Sequence, residues 1–146
     1  MITRTDAHTD IDAVLTAEDR TTLQNAVHGA LALMIAANGG PIAATRAGIA
    51  GGKAVHTATG LIGRVVTAKP ADLNVGGKSV GEMADKVFPA ITGSARLLAE
   101  KVPAEVENLR ATIDMVIDAV QRSHRGAALP TEVEMARKIR LALDAA

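Results

Sequence analysis

The sequence is 146 residues long and carries 16 lysine and arginine residues against 16 aspartate and glutamate residues, so its formal net charge is zero. A chain of this length is the size of one ordinary domain and can bury a core of its own. The neutral balance provides no overall field to attract phosphates or anionic lipids, so we expect neither nucleic acid nor a membrane as partner. No cysteine is present, which excludes disulfides, thiolate metal sites and thiol nucleophiles.

Aromatic side chains are almost absent, since hydrophobic residues make up 48% of the chain and Phe88 is the single aromatic residue. The core must therefore consist of alanine, methionine and aliphatic side chains, and short side chains require backbones that approach closely. Helices packed on helices meet this requirement, and no segment alternates as a convincing strand. The sequence predicts an all-α fold: a polar N-terminal arm over residues 1–15, then one helical-bundle domain of about five helices over residues 16–146.

The first predicted helix begins after Thr16, which forms a capping-box pair with Asp19. Its apolar positions run almost all round the helix, which predicts a central place in the bundle. No charge occurs between Arg20 and Arg46, but the strongly apolar part, 26–37, is too short to cross a bilayer. We therefore interpret this segment as a buried helix. Because the N-terminus lacks the apolar region of a secretory signal, we expect a cytoplasmic protein.

The second helix is predicted to begin at Pro41, in a glycine-rich segment that extends over residues 41–67. Each interior glycine costs a helix about 1 kcal/mol relative to alanine. This composition leaves two alternatives open: one helix, or two helices with a break near Gly51-Gly52. If the segment is helical, paired glycines share a face that lets another backbone come near, namely Gly48 with Gly52 and Gly60 with Gly63.

The third and fourth helices follow conventional amphipathic patterns. Ser79 and Glu82 form a capping box for the third helix, in which Pro89 predicts either a kink or a break with a restart. The inner stripe of this helix includes Val80, Val87, Ile91 and Leu98. Pro103 starts the fourth helix, and its stripe has the best heptad spacing in the chain, formed by Val106, Leu109, Ile113, Val116 and Val120.

The last helix is predicted to open at Pro130 with a capping box of Thr131 and Glu134. The residues expected to point inward are Val133, Ala136, Ile139 and Leu143. Its basic cluster, 137–140, superficially resembles half of a helix-turn-helix, but no recognition helix follows it. We therefore interpret the cluster as favourable charge near a helix C-terminus and expect no DNA binding.

The loop before the third helix copies the end of a phosphate-binding loop in Gly77, Lys78 and Ser79. Asp72 stands where the first glycine of that motif should be, and no buried strand precedes the loop. We therefore expect helix capping there rather than nucleotide binding. The candidate ligand-binding residues are restricted to Lys53, Gly76, Gly77, Lys78 and Ser79.

Metal and catalytic sites are not predicted, so we expect no cofactor and lean towards a protein that is not an enzyme. No serine, histidine and acid form a nucleophile arrangement, and the acids of the fourth helix lie among arginines that can pair with them. Two groups carry ligand-type side chains without the spacing of a metal motif, and metal binding by either stays open: the pair His28 and His56, and the alternating Asp6, His8, Asp10 and Asp12.

Two functions of different class fit these features. The preferred one is a non-catalytic helical protein that associates with itself, as a homodimer or higher oligomer, through the stripe 106–120 and the glycine-rich faces of 41–63. In either case we expect the working surface at the seam between residues 48–53 and 76–79. The alternative is a bundle that encloses a small apolar or anionic ligand, with Lys53 or Lys78 at its mouth and a lining of Leu31, Met34, Val87, Phe88 and Ile91.

Overall fold

A computed structural model describes residues 13–38, 40–69, 73–123 and 129–146. These residues form six α-helices and no β-strand, which confirms the all-α prediction with one helix more than the five expected. A short 3-10 turn, Pro103–Glu105, leads into the fifth helix. The helices are α1 Ala17–Ala37, α2 Pro41–His56, α3 Gly60–Thr67, α4 Val80–Lys101, α5 Val106–Arg122 and α6 Pro130–Asp144.

Helix α1 lies at the centre of the bundle, as its apolar surface predicted, and contacts every other α-helix. The capping box at its start is confirmed: the Asp19 N–H donates to Thr16 Oγ1 and the Thr16 N–H donates to the Asp19 carboxylate, each at 3.0 Å. Lys101 of α4 donates to the same carboxylate, and this hydrogen bond is the main reason why the pKa of Asp19 lies below its ordinary value. Within the described ranges, no helix has the length and apolarity needed to cross a bilayer.

The predicted polar arm lies largely outside the described residues, which begin at residue 13. Its last residue, Leu15, is nevertheless part of the hydrophobic core. The Leu15 carbonyl also accepts a hydrogen bond from Arg20 Nη1 at 3.1 Å. Among the described residues, the core therefore extends to the residue that precedes the Thr16 cap.

The glycine-rich segment forms two helices, and the break lies at residues 57–59 rather than near Gly51-Gly52. Thr57 ends α2, where its hydroxyl donates to a carbonyl of the last turn at 2.7 Å. Gly60 then begins α3 with a φ of 66°, in the left-handed region that side chains rarely adopt. The need for this turn explains the extra helix in the bundle.

Close backbone approach occurs in this segment, but it does not follow the predicted pairs of glycines. A Cβ at Gly51 would lie 2.2 Å from Leu31 Cδ1 of α1, and a Cβ at Gly63 would lie 2.3 Å from the carbonyl oxygen of Ala58. A Cβ at Gly52 would meet no atom within 4 Å. The glycines that face the interior are therefore Gly51 and Gly63, while Gly52 faces outward.

Two side chains of α1 hold the C-terminal end of α3. Gln24 Nε2 donates to the carbonyl oxygen of Val65 at 3.0 Å, and His28 Nε2 lies 2.8 Å from the carbonyl oxygen of Val66. A carbonyl oxygen only accepts, so this contact requires the His28 proton on Nε2. Because the last carbonyl groups of a helix have no partner inside it, the two side chains supply what α3 lacks.

Helix α4 is continuous through Pro89, so of the two sequence-based alternatives the break is not observed. Pro89 is exposed, and water is available there to the carbonyl group that loses its helical partner. The predicted stripe is confirmed at Val87, Ile91 and Leu98, which are buried, whereas Val80 at the helix start is partly exposed. The stripe of α5 is confirmed at Leu109, Ile113, Val116 and Val120, which are fully buried in the core, whereas Val106 at the helix start is only partly buried.

The capping arrangement of α6 differs from the prediction. Leu129 is the N-cap residue, and its N–H donates to Glu132 Oε1 at 3.1 Å. Thr131 already lies inside the helix, and its hydroxyl donates to the Ala37 carbonyl oxygen of α1 at 2.7 Å. The predicted start of the helix at Pro130 is confirmed, but the predicted capping box of Thr131 and Glu134 is wrong, because Thr131 lies inside the helix and not at its N-cap.

At the start of α6, an acidic residue is buried in place of the apolar residue that was predicted to point inward. Val133, predicted to point inward, is 53% exposed, and Glu132 is fully buried instead. Glu132 turns inward because the Leu129 N–H at the helix start needs its carboxylate as an acceptor. The rest of the predicted stripe is confirmed, since Ala136, Ile139 and Leu143 are buried.

Candidate functional site

The loop before α4 contains most of the predicted binding residues, and its amides already bind a carboxylate of the same chain. The Lys78 N–H donates to Glu82 Oε2 at 2.6 Å, and the Glu82 N–H donates to Ser79 Oγ at 3.1 Å. Glu82 therefore occupies the place that an anion would take at this helix start. Ligand binding by Gly76, Gly77, Lys78 and Ser79 stays a prediction, and an anion has to displace Glu82 to bind there.

Lys53 is the remaining predicted binding residue, and it lies exposed on α2. Among the described residues, no hydrogen bond or ion pair joins Lys53 to the loop before α4. The two sides of the predicted seam, 48–53 and 76–79, likewise share no hydrogen bond in this part of the chain. Instead the loop is tied to its own helix, where Lys86 Nζ donates to the Gly76 carbonyl oxygen at 2.8 Å.

The outward side of α2 exposes two large apolar side chains. Ile42 is 74% exposed and Ile49 is 58% exposed. Their i, i+7 spacing places them on one side of the helix, opposite the buried Ala47 and Gly51. We call this side the α2 outer face; it comprises Ile42, Thr45, Arg46, Ile49, Gly52, Lys53 and His56.

The charges of the α2 outer face are all basic. Arg46 and Lys53 are exposed, and helix α2 contains no aspartate or glutamate. Neither cation forms an ion pair with any of the described residues. The face therefore combines apolar surface with unpaired positive charge.

The outward side of α5 exposes acidic side chains. Glu107, Ala111 and Asp118 are exposed and lie opposite the buried stripe of that helix, and we call these three residues the α5 acidic face. Arg122 is exposed one turn beyond Asp118, where its Nε donates to the Asp118 carbonyl oxygen at 3.4 Å. Within the described ranges, Glu107 and Asp118 form no ion pair, whereas Asp114 beside them accepts from Arg140 Nε at 2.9 Å. Helices α2 and α5 pack against each other, so the two faces belong to neighbouring helices of one chain.

An open apolar groove runs between α4 and α6. It has a volume of about 520 Å³, and its lining consists of Phe88, Pro89, Thr92, Lys138, Leu141 and Ala142. A neighbouring groove of about 460 Å³ shares Lys138 and extends to Val80 and Met135. Lys138 is exposed and has no close ion-pair contact among the described residues, but it interacts electrostatically with Glu134 one turn earlier, which also lines the neighbouring groove.

The residues proposed to enclose a ligand are divided between the core and the surface. Met34, Val87 and Ile91 are buried in the packed core. Leu31 packs over Gly51, and Phe88 lines the open groove. The groove between α4 and α6 is therefore the place where the ligand alternative can be tested.

A buried polar junction between α1 and α6 escaped the sequence analysis. Asn38 Nδ2 donates to Glu132 Oε2 at 3.1 Å, and both residues are buried. Asn38 Oδ1 is buried without a hydrogen-bond partner. The sequence did contain a signal for this contact. Pro130 is typical of a first helical position, and Glu132 then lies at the third position, where an acid can accept from the N-cap N–H.

Metal-ligand side chains do not cluster in the described part of the chain, where no group of three or more histidine or acidic residues could hold an ion. His28 is engaged with α3, and His56 is exposed at the end of α2. The alternating acidic and histidine residues of the predicted arm, Asp6, His8, Asp10 and Asp12, lie outside the described residues.

Comparison with known proteins identifies no relative of this chain: no protein-family model, no curated protein and no solved structure matches it. The function therefore has to be argued from the chain's own surfaces. Of these, the α2 outer face, the α5 acidic face and the groove between α4 and α6 are the candidates.

Proposed function

We propose that the protein is a non-catalytic helical module that associates with itself through the α2 outer face. The observation that supports this most directly is the exposure of Ile42 and Ile49 on one side of a regular helix. Burying one such side chain fully gains about 1.5 to 3 kcal/mol, so covering both favours a complex. Thr45 and Gly52 flank the isoleucines with little or no side chain, which allows a facing helix to come close.

Of the surfaces that the sequence suggested for self-association, only the outward residues of α2 support the proposal. The apolar stripe of α5, which the sequence offered as a second contact surface, is buried inside the same chain. Gly51 and Gly63 likewise face atoms of their own chain. The α2 outer face is what these interior contacts leave uncovered, and it is the face that a second molecule would bury.

Sedimentation velocity over a concentration series tests the proposal on the full chain. The wild type is expected to form a dimer or larger oligomer, and the variant I42S/I49S is expected to sediment as a monomer. The matched control is V133S/L141S, because these α6 side chains are 53% and 51% exposed but lie outside the proposed contact. Circular dichroism verifies that each variant is folded.

Two results contradict self-association through this face. One is a wild type that stays monomeric at every concentration. The other is an I42S/I49S variant that associates as strongly as the wild type. If the control V133S/L141S dissociates instead, the contact lies on α6 and the proposal is equally wrong.

A small apolar anion in the groove between α4 and α6 is the second candidate function, and the exposed Lys138 between this groove and its neighbour favours it. Anilinonaphthalene sulfonate, which combines aromatic rings with a sulfonate, is a suitable probe. Its fluorescence is expected to rise with the wild type and to rise less with K138Q/L141S. No fluorescence change with the wild type refutes the groove. Both candidates retain the expectation of a cytoplasmic protein.

A further inference from the structure

We propose that the contact partner of the α2 outer face is the α5 acidic face of a second, identical chain. Two chains then join through reciprocal contacts, in which α2 of each lies against α5 of the other. This inference rests on the self-association proposed above and specifies which surfaces meet. It follows from the charges that neither surface pairs within its own chain.

Like charges disfavour the simpler arrangement in which two α2 outer faces meet each other. That contact brings Arg46 and Lys53 of one chain towards the same two cations of the other, with no acid on either helix. Like-charge juxtaposition at an interface is costly and selects against that mode of binding. The α5 acidic face offers Glu107 and Asp118, which have no ion-pair partner in the described ranges.

The dimensions of the two faces are compatible. With a helical rise of 1.5 Å per residue, Arg46 and Lys53 lie about 10 Å apart along α2, and Glu107 and Asp118 lie about 16 Å apart along α5. Long, flexible arginine and lysine side chains can span the difference. Between the two acids, Ala111 exposes a single methyl group, and Asp114 lies beside it in its ion pair with Arg140. The room for an isoleucine of the facing helix is therefore the surface over Ala111.

One chain carries both faces on helices that pack together, and the proposed pairing is the closed arrangement in which both contacts form at once. A two-fold axis that places α2 of one chain on α5 of its partner also places the partner's own α2 on the first chain's α5. Every ion pair is then formed twice. The expected assembly is a dimer rather than an open filament, and its dissociation constant increases with salt because exposed ion pairs are screened.

Charge-reversal variants test the pairing by complementation. R46E/K53E alone sets acid against acid in both contacts, and E107K/D118K alone sets base against base. Each is expected to weaken dimerisation by about 100-fold, equivalent to about 2.7 kcal/mol. In an equimolar mixture of the two variants, the reversed α2 meets the reversed α5 and the native α5 meets the native α2. Native mass spectrometry of that mixture is expected to show the heterodimer as the main species.

The control is D85K/E100K, which reverses two exposed acids of α4 outside the contact and is expected to keep the dimer. If either charge-reversed variant loses its circular dichroism spectrum, the neutral variants R46Q/K53Q and E107Q/D118N replace the pair. These are expected to weaken dimerisation by about 10-fold, equivalent to about 1.4 kcal/mol.

The outcomes separate this inference from the proposed function. A monomeric wild type, or an I42S/I49S variant that still dimerises, overturns self-association through α2 and with it the pairing. A dimeric wild type that I42S/I49S dissociates, combined with an unaffected E107K/D118K, overturns the pairing alone. In that case α2 meets α2, and R46E/K53E then forms heterodimers with the wild type.

Discussion

Replacing Gly29 with alanine is expected to destabilise the bundle, although alanine is the better helix former. Gly29 lies in the middle of α1, where a Cβ would lie 2.7 and 2.8 Å from the two γ-carbons of Val87 on α4. Val87 is 1% exposed, and its β-branched side chain has one strongly preferred rotamer in a helix, so it cannot turn away. The added methyl group must push the two helices apart.

The magnitude follows from two opposing terms. The change from glycine to alanine gains about 1 kcal/mol of helix propensity. Overpacking a well-packed core costs about 1 to 3 kcal/mol, and carbon atoms normally touch at about 3.5 to 4.0 Å, so this clash belongs at the upper end. The expected net loss is about 1 to 2 kcal/mol, which lowers the melting temperature by about 4 °C for each kcal/mol.

Urea unfolding followed by far-ultraviolet circular dichroism measures the change, with Gly93 as a matched control. Gly93 lies on α4 and faces α1 across the same interface, but a Cβ there would lie 3.7 Å from Thr22 Cγ2, an ordinary contact. G93A is therefore expected to stabilise the protein by about 1 kcal/mol.

A double-mutant cycle with V87A sharpens the test, because removing the γ-carbons of Val87 removes the two closest contacts and leaves only its Cβ, 3.2 Å from the new methyl carbon. In that background G29A is expected to lose most of its cost. The reasoning is refuted if G29A stabilises the wild type as much as G93A does. It is refuted equally if G29A keeps its cost in the V87A background.

Three further predictions concern the polar contacts between and within helices. The pKa of Asp19 is lowered in the folded protein, so its ion pair with Lys101 stabilises the fold above the unfolded pKa near 3.8. This stabilisation is lost as the pH falls through the lower folded value. When unfolding is measured at decreasing pH, K101M should therefore lose less stability than the wild type. Q24L leaves the buried Val65 carbonyl without its side-chain donor and should cost about 1 to 3 kcal/mol in urea unfolding, and an unchanged midpoint contradicts that role. S79A removes the N-cap of α4 and should cost about 1 kcal/mol, with amide exchange faster in the first turn of that helix and unchanged at its end.

Local sequence rules succeeded where the interacting residues lie within one helical turn, and α6 shows why they failed elsewhere. The Thr16 and Asp19 capping box is confirmed because both partners belong to the same few residues. At α6, Glu132 lies three positions after Leu129 and Glu134 three positions after Thr131, and only Thr131 has the hydroxyl that a full capping box requires. The N-cap is nevertheless Leu129. The choice depends on the Ala37 carbonyl of α1, which accepts the Thr131 hydroxyl and is distant in sequence.

The positions of close helix contact could not be predicted either, because they depend on the facing helix. Gly51 and Gly52 are adjacent residues of the same type, yet Gly51 faces Leu31 and Gly52 faces open space. Gly29, which meets Val87, lies within an apolar run where nothing distinguishes it from a tolerated glycine. The composition therefore predicted that helices approach closely. Which glycines lie at the close contacts depends on the packing of the helices.

The zero net charge that argued against nucleic acid as a partner also hid the candidate surfaces from the sequence analysis. Totals of 16 basic and 16 acidic residues cancel, but cancellation says nothing about where the charges lie. Elsewhere on the surface opposite charges meet within the chain, as in the pair of Arg110 and Asp144 at 2.9 Å. On α2 the charges are all basic. On the outward side of α5, Glu107 and Asp118 make no ion pair with the described residues, although Arg122 is exposed beside Asp118. In the proposed dimer a second copy supplies the opposite charge to both surfaces at once, and for this reason a chain without net charge can favour its own kind as a partner.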